Sequence, residues 1–355
     1  MSLRSAGRAV LLWLVRVLYP APQGAPAPVD PGTIRKLLVI RIDTRVGNVL
    51  LTTPLLRALR ASLPSARVDF LVAEGKQALV EGLADRVVGF GKKDFFRAPL
   101  RFWRRVLALR KERYDVAIEA GHWHAFSFTS LWLARFTRAP VRVGHSRGLA
   151  ERFLTHAVSK DEASEREVPA KLELLGPLGL RPDGEALDTT VDRDPSVARR
   201  AEAILAGCGG AAAALNPGGR KADHRWPPSA FGRLARRIRE ELGLCPLVLW
   251  GPGEEAIAAE VVAASGGAAL LAPPTDLALL AGVFRRSALV VTNDTGPMHL
   301  AAAAGAKVLA VMLSADGARW SHALRFEGVA ARDGSAAEVE RVLAAARRLL
   351  AEGPT

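Results

Sequence analysis

Residues 285–312, RRSALVVTNDTGPMHLAAAAGAKVLAVM, constrain the fold of this chain more than any other stretch. The apolar run at 288–292 lacks alternation, the pattern of a parallel strand buried on both faces. Asn293-Asp294-Thr295-Gly296 then form a turn. Pro297 suits the first turn of a helix, where its missing N–H would be unpaired anyway. That helix is expected over 298–304 and stops at Gly305, before a second strand over 307–312. The unit is strand–turn–helix–strand, and it leaves Thr295 and Gly296 at a helix N-terminus. Free N–H groups and the helix dipole favour an anion there. Asp294 and His299 are not demanded by helix packing. A ligand role and a plain turn-and-core role are both open for them at this point.

The same rhythm recurs along the chain. A strand at 37–42 runs into the loop Asp43-Thr44-Arg45-Val46-Gly47-Asn48, then a helix over 49–63 and a strand over 67–72. The lone Gly47 is not a G-x-G-x-x-G fingerprint, so an ordinary dinucleotide oxidoreductase is disfavoured. In the second half, strands at 212–215 and 246–250 are each followed by a loop and a helix, and a long amphipathic helix over 336–351 ends the pattern. At 355 residues the chain exceeds one ordinary core. The Pro/Asp/Gly-rich stretch 181–195 reads as an interdomain connection. The expected organisation is a basic, amphipathic segment at 1–20, a Pro/Ala linker at 21–33, and α/β domains at 34–182 and 183–355. Loops 216–227, 251–255 and 293–297 all follow strand ends and should border one crevice. They carry Arg220, Lys221, Arg225, Thr295 and carboxylates, a set suited to a nucleotide diphosphate, with Glu254 or Glu255 accepting from ribose hydroxyls.

The balance of 49 basic against 36 acidic side chains gives +13 and points to an anionic partner. Nucleic acid is disfavoured, because no recognisable nucleic-acid module accompanies the charge. Cys208 and Cys245 form no spaced cluster, so neither a disulfide framework nor a cysteine-built zinc site is indicated. Residues 1–20 are apolar and basic but too short to span a bilayer. They fit a helix lying in the membrane interface or a simple packing helix. The stretch 97–113 carries seven basic residues and one acidic. On a helix, Arg97, Arg101, Arg104 and Arg105 share one face, and Leu100, Phe102, Trp103, Val106 and Leu107 the other. The basic face suits solvent, phosphates or a membrane surface. His122 and His124 have no third metal ligand near in sequence, so an open polar loop is the expectation and no metal site is assigned.

With these elements in place, NDTGPMHLAAAAG resembles the D-[TS]-G-P-M-H-L-A-A-A-x-G signature of glycosyltransferase family 9, the lipopolysaccharide heptosyltransferases. IRIDTRVGNVLLTTPLLRALR is similar to the family's N-terminal motif, NPGGRKADHRWPPSAFGRLA to its donor loop, and RYDVAIEAGH adds a further match in order. The resemblance implies a GT-B fold, two Rossmann-like doubly wound domains facing across a cleft. It also implies an inverting transfer without metal or other cofactor. The donor would be a nucleotide-diphosphate sugar such as ADP-heptose. The acceptor would be an anionic lipid-linked saccharide, met on the cytoplasmic face of the inner membrane. Carried over by position, Asp294, Thr295 and Gly296 hold the diphosphate with His299 beside them. The family's donor-loop lysine falls on His224, and Lys221 supplies the missing charge. Gly47, Arg97, Arg101, Arg104 and His122 belong to the acceptor side. The family's Gly-Asp, whose aspartate is the proposed base, is here Gly47-Asn48. An amide cannot take the acceptor's proton, and Asp43 is the substitute on the same loop. A non-catalytic sugar-nucleotide-binding homologue is the alternative.

Overall fold

The computed structural model describes residues 15, 17–20, 26–160, 166–314 and 317–352. Most of the expected interfacial segment at 1–20 lies outside them. The chain groups into two compact units, residues 1–44 with 52–184 and residues 45–51 with 185–355.

In the first unit, β1 (Lys36–Arg41) is buried along nearly its whole length. The single helix expected over 49–63 is two, α1 (Val46–Leu50, counted with the second unit) and α2 (Thr53–Ser62). Pro54 explains the break, since it lacks the N–H that would continue the first helix but suits the first turn of the next. Next come β2 (Arg67–Ala73), β3 (Arg86–Phe90), α3 (Asp94–Arg97) and α4 (Pro99–Lys111). They are followed by β4 (Val116–Glu119), α5 (Phe128–Phe136), β5 (Val141–His145), β6 (His156–Val158) and α6 (Glu167–Leu172). All six strands run parallel in the order β3-β2-β1-β4-β5-β6. The direction of strand addition reverses between β1 and β4, where Ile40 pairs with Glu119. The described part of the N-terminal segment packs on α5. Val15 is buried beside Leu131 and Phe153, whereas Val17 and Leu18 are exposed.

The second unit contains α7 (Pro195–Ala206), β7 (Ala212–Asn216), α8 (Pro228–Leu242), β8 (Cys245–Val248), α9 (Glu255–Ala264) and β9 (Leu270–Leu271). It continues through α10 (Leu277–Arg286), β10 (Leu289–Asn293), α11 (Gly296–Ala303), β11 (Val308–Met312), β12 (Phe326–Ala330) and α12 (Ala336–Ala351). Its parallel sheet has the order β12-β11-β10-β7-β8-β9, with the reversal between β7 and β10. The inner stripe of α8, Phe231, Leu234, Ala235 and Ile238, meets Val342, Leu343 and Leu349 of α12 in one core. Each of the larger side chains here, once fully buried, stabilises the fold by roughly 1.5–3 kcal/mol. The C-terminal helix therefore packs on α8, β11 and β12 of its own unit.

Candidate functional site

In the second unit, the loops after β7 and β10 meet at the sheet's reversal point, the place where open α/β sheets hold ligands. Asn293 laces them together. Its Oδ1 accepts from Trp226 N at 3.0 Å, and its Nδ2 donates to Pro217 O at 2.8 Å and Gly218 O at 3.1 Å. Trp226 is fully buried and donates from Nε1 to Glu338 at 3.0 Å. The Trp-Pro end of the loop is thus fixed from below. Its other end is fixed by Glu254, which accepts from Gly219 N at 2.7 Å and Gly251 N at 3.0 Å. A Cβ on Gly218 would stand 2.1 Å from that carboxylate, so any larger residue would push the brace aside. Between these anchors, Arg220, Lys221 and His224 make no side-chain bond among the described residues, and Arg220 and Lys221 are exposed.

Thr295 precedes α11 in extended conformation, with Oγ1 donating to Asn293 O at 3.3 Å, a long bond that leaves the hydroxyl weakly committed. Asp294 accepts from Ser314 Oγ at 3.1 Å. Asp294, Thr295, Gly296, Lys221 and His224 therefore belong to adjoining loops, as the sequence predicts. Three residues expected in the site, Glu254, His299 and Gly47, have structural contacts of their own. Both oxygens of Glu254 are taken by backbone amides, which makes it a loop brace, and the neighbouring Glu255 is exposed at the start of α9. His299 is buried on α11, its Nδ1 3.1 Å from His322 Nε2. A Cβ on Gly47 of α1 would lie 2.2 Å from its ring. Gly47 is thus a close-packing residue of α1 against α11, and the adjacent Asn48 is buried in the same segment.

In the first unit, the ends of β1 and β4 carry Arg41, Asp43 and Glu119 at the corresponding reversal point. Arg41 is buried and donates to Ala120 O at 3.2 Å and to His122 Nε2 at 2.8 Å. A guanidinium only donates, so His122 accepts at Nε2 and carries its hydrogen on Nδ1. That Nδ1 lies 3.0 Å from Glu167 Oε1, and His124 Nδ1 lies 3.3 Å from the same oxygen. The buried Lys171 Nζ donates to Glu167 Oε2 at 3.1 Å and to Ala120 O and Gly121 O, each at 3.3 Å. Arg147 pairs with the buried Glu119. The loop at 120–124 is therefore tied down by buried charge, unlike the open polar loop expected.

Burial is the largest cause that lowers His122, to about 4, with Arg41 adding to it and Glu167 opposing. Burial likewise lowers Lys171 to about 8. Burial works to raise Glu167, but Lys171 and the bonds from both histidines hold it well below the usual carboxylate range. Glu167, invisible as a partner in sequence, brings three potential metal-ligand atoms within 4.8 Å of one another. Arg41 and Lys171 already occupy positions against these same groups, and their fixed positive charge opposes a dication. The cluster is built as a salt-bridged anchor. Asp43 is half-buried just past β1, and its charge is felt by Arg41 and Lys92.

The stretch at 97–113 departs from its expected two faces. Arg101 pairs with Asp94 at 2.7 Å, and Arg105 with Glu74 at 2.5 Å and Asp94 at 3.4 Å, so this side is internally neutralised. Phe102, Val106 and Leu109 are buried, whereas Leu100, Trp103 and Leu107 point outward with Arg104. Helical periodicity grouped five apolar residues that the fold divides between core and surface.

Comparison with known proteins completes the assignment. A curated relative, lipopolysaccharide heptosyltransferase 3 of Escherichia coli, is 23% identical over 293 residues, spanning 77% of this chain and 82% of its own length. Among solved structures, a family 9 glycosyl transferase from Veillonella parvula covers 92% of this chain and 99% of its own at 22% identity and TM-score 0.74. E. coli heptosyltransferase WaaC with ADP covers 88% and 99% at 22% identity and TM-score 0.69. These likenesses establish the two-sheet GT-B fold. The model of glycosyltransferase family 9 (heptosyltransferase) matches residues 100–330, and the chain belongs to that family.

Proposed function

We propose that this protein transfers a heptose-like sugar from a nucleotide-diphosphate donor to the core of lipopolysaccharide or a related lipid-linked saccharide. The observation that carries the reading is the braced pair of loops after β7 and β10. It carries Arg220, Lys221 and His224, which have no side-chain partner among the described residues, on a loop adjoining the one that leads into α11. Cations and helix amides suit a diphosphate in the ground state and the greater charge it carries as a leaving group. The relative solved with ADP supports a nucleotide donor. In this reading the braced loops hold it in the 183–355 domain, and the 34–182 domain takes the acceptor.

In an inverting displacement, the acceptor oxygen attacks the anomeric carbon while a base removes its proton, and the nucleoside diphosphate departs with the electron pair of the cleaved bond. Asp43 takes that role in this reading. It is a carboxylate at the end of β1, and the amide of Asn48 cannot serve. Arg41, anchored through His122, Glu167 and Lys171, fixes the polar floor beside it. The acceptor's anionic groups meet Arg97 and Arg104, and the protein works as a peripheral protein at the inner membrane's cytoplasmic face. Among the described residues no helix is long and apolar enough to cross a membrane. Asp43→Asn should lower turnover of ADP-heptose by about 10²-fold or more while ADP affinity by calorimetry stays within about twofold. Full activity in that variant removes Asp43 as base. Asn48 at the family's carboxylate position favours a second reading, a sugar-nucleotide-binding homologue without turnover. Tight ADP-heptose binding with no transfer to any lipid-linked acceptor would establish it.

A further inference from the structure

α4 carries apolar side chains on two opposite sides, and a helix serving one core needs only one. Its inner stripe is satisfied by the sheet. On its outer side Leu100, Trp103 and Leu107 are 83%, 41% and 46% exposed, and Phe96 of α3 adds a ring that is 85% exposed. These side chains stand on a rigid base. Phe95 meets Phe96 and Phe102 edge-on at 4.9 and 5.3 Å, and Trp103 meets Trp132 at 6.2 Å. A cavity of about 270 Å³ opens among Phe95, Phe96, Trp103, Phe128 and Trp132, with Lys92 on its wall. The apolar surface continues past α5. Tyr19 packs on Phe153 at 4.7 Å, with the Arg135 guanidinium 5.5 Å from its ring centre, and leaves Val17 and Leu18 exposed.

The charge around this ridge is one-sided. Lys93, Arg97, Arg104 and Lys111 are exposed and make no ion pair among the described residues. The nearby acids Asp94 and Glu74 are already held by Arg101 and Arg105. Exposed aromatic and aliphatic side chains ringed by unpaired cations match the interfacial layer of an anionic bilayer, where rings sit among headgroups and cations meet phosphate. A second copy is a poor occupant, because a two-fold contact through this face would set the same unpaired cations against each other.

We propose that the outer face of α3 and α4 is a membrane-docking surface. Phe96, Leu100, Trp103 and Leu107 enter the interfacial layer of an anionic phospholipid bilayer, and Lys93, Arg97, Arg104 and Lys111 sit at its phosphates. The proposal rests on the glycosyltransferase reading only for the reason a membrane is visited, namely a lipid-linked acceptor. The test is co-sedimentation of the full chain with vesicles of phosphatidylcholine and phosphatidylglycerol, and with phosphatidylcholine alone. The parent and the double variant Phe96→Ser/Leu100→Ser are compared at about 0.1 and 0.5 M salt, since screening removes the cations' share and leaves the apolar one. The parent should prefer anionic vesicles and retain measurable binding at the higher salt. The variant should bind at least about tenfold more weakly, the effect of withdrawing two large apolar side chains from the interface.

The changed side chains are exposed, so the variant's melting temperature and ADP affinity should match the parent's. Equal vesicle binding by parent and variant would place docking elsewhere and overturn the proposal, as would a parent that ignores anionic vesicles. A parent that dimerises in solution, with the variant monomeric, would make the face a contact between copies and also overturn it. Loss of ADP binding in the parent would sink the donor reading and leave the docking result standing.

Discussion

Acidification from pH 7 to pH 5 should destabilise the first unit through two buried rings, His122 and His145. Burial is the largest cause for each and lowers both from 6.5 to about 4. Lys171 and Arg147 push His145 further in the same direction. A folded-state value below the unfolded one means that the unfolded chain binds the proton first. The stability present above about pH 6.5 is therefore lost as the pH falls towards 4. Each ring can contribute at most about 1.4 kcal/mol per pH unit, and roughly 3 kcal/mol over the whole interval. Glu167 is held low as well, but a carboxylate's ordinary value is near 4.5, so its contribution persists through this window and is lost only on further acidification, below about pH 4.5. Urea unfolding of the parent and of His145→Gln at pH 7.5, 6.5, 5.5 and 4.8 isolates one ring. The variant starts less stable. Its deficit should shrink by about 1 kcal/mol per pH unit below pH 6.5, because glutamine has no proton to gain. A parent whose stability is flat between pH 7 and 5, or a deficit that does not change with pH, would refute the burial account of His145.

Three further substitutions probe the second unit. Thr295→Val keeps the shape of the α11 entrance and removes a weakly committed hydroxyl, and should cost roughly 1–3 kcal/mol of ADP affinity by calorimetry; unchanged affinity removes Thr295 from the diphosphate site. Glu254→Ala strands the amides of Gly219 and Gly251, and should lower stability by about 3 kcal/mol in urea and weaken ADP binding through the loosened loop. A variant that loses ADP affinity with no loss of stability would instead make Glu254 a ligand. Gly47→Ala drives a methyl into the His299 ring and should cost about 1–3 kcal/mol by thermal unfolding. That cost should fall sharply in a His299→Ala background, and an equal cost in both backgrounds rules out the contact.

The elements that were legible in the sequence are those whose signal is local. The run at 288–292 is β10 because residues buried on both faces must all be apolar, and the amphipathic period at 336–351 gives α12 its observed ends. Pro54 was equally visible, yet the helix expected over 49–63 ran through it, because an apolar period says nothing about where one helix hands over to the next. The loops after β7 and β10 were legible because glycines, cations and a helix N-terminus lie close together in the chain. Their brace was misread, since Glu254 reaches an amide 35 positions away and nothing local distinguishes a ribose acceptor from an amide acceptor. The anchor around Glu167 was missed for the same reason, because Glu167 meets His122 and His124 only once β4 and α6 are packed. α4 carries the sharpest lesson. Leu100, Phe102, Trp103, Val106 and Leu107 form one apolar arc by composition, but a sheet contacts only part of it. The arc is wider than a single core requires, and the surplus, Leu100, Trp103 and Leu107, is the part that faces outward with Arg104. Periodicity fixed the helix, and only the three-dimensional contacts could divide its apolar residues between the core and the surface.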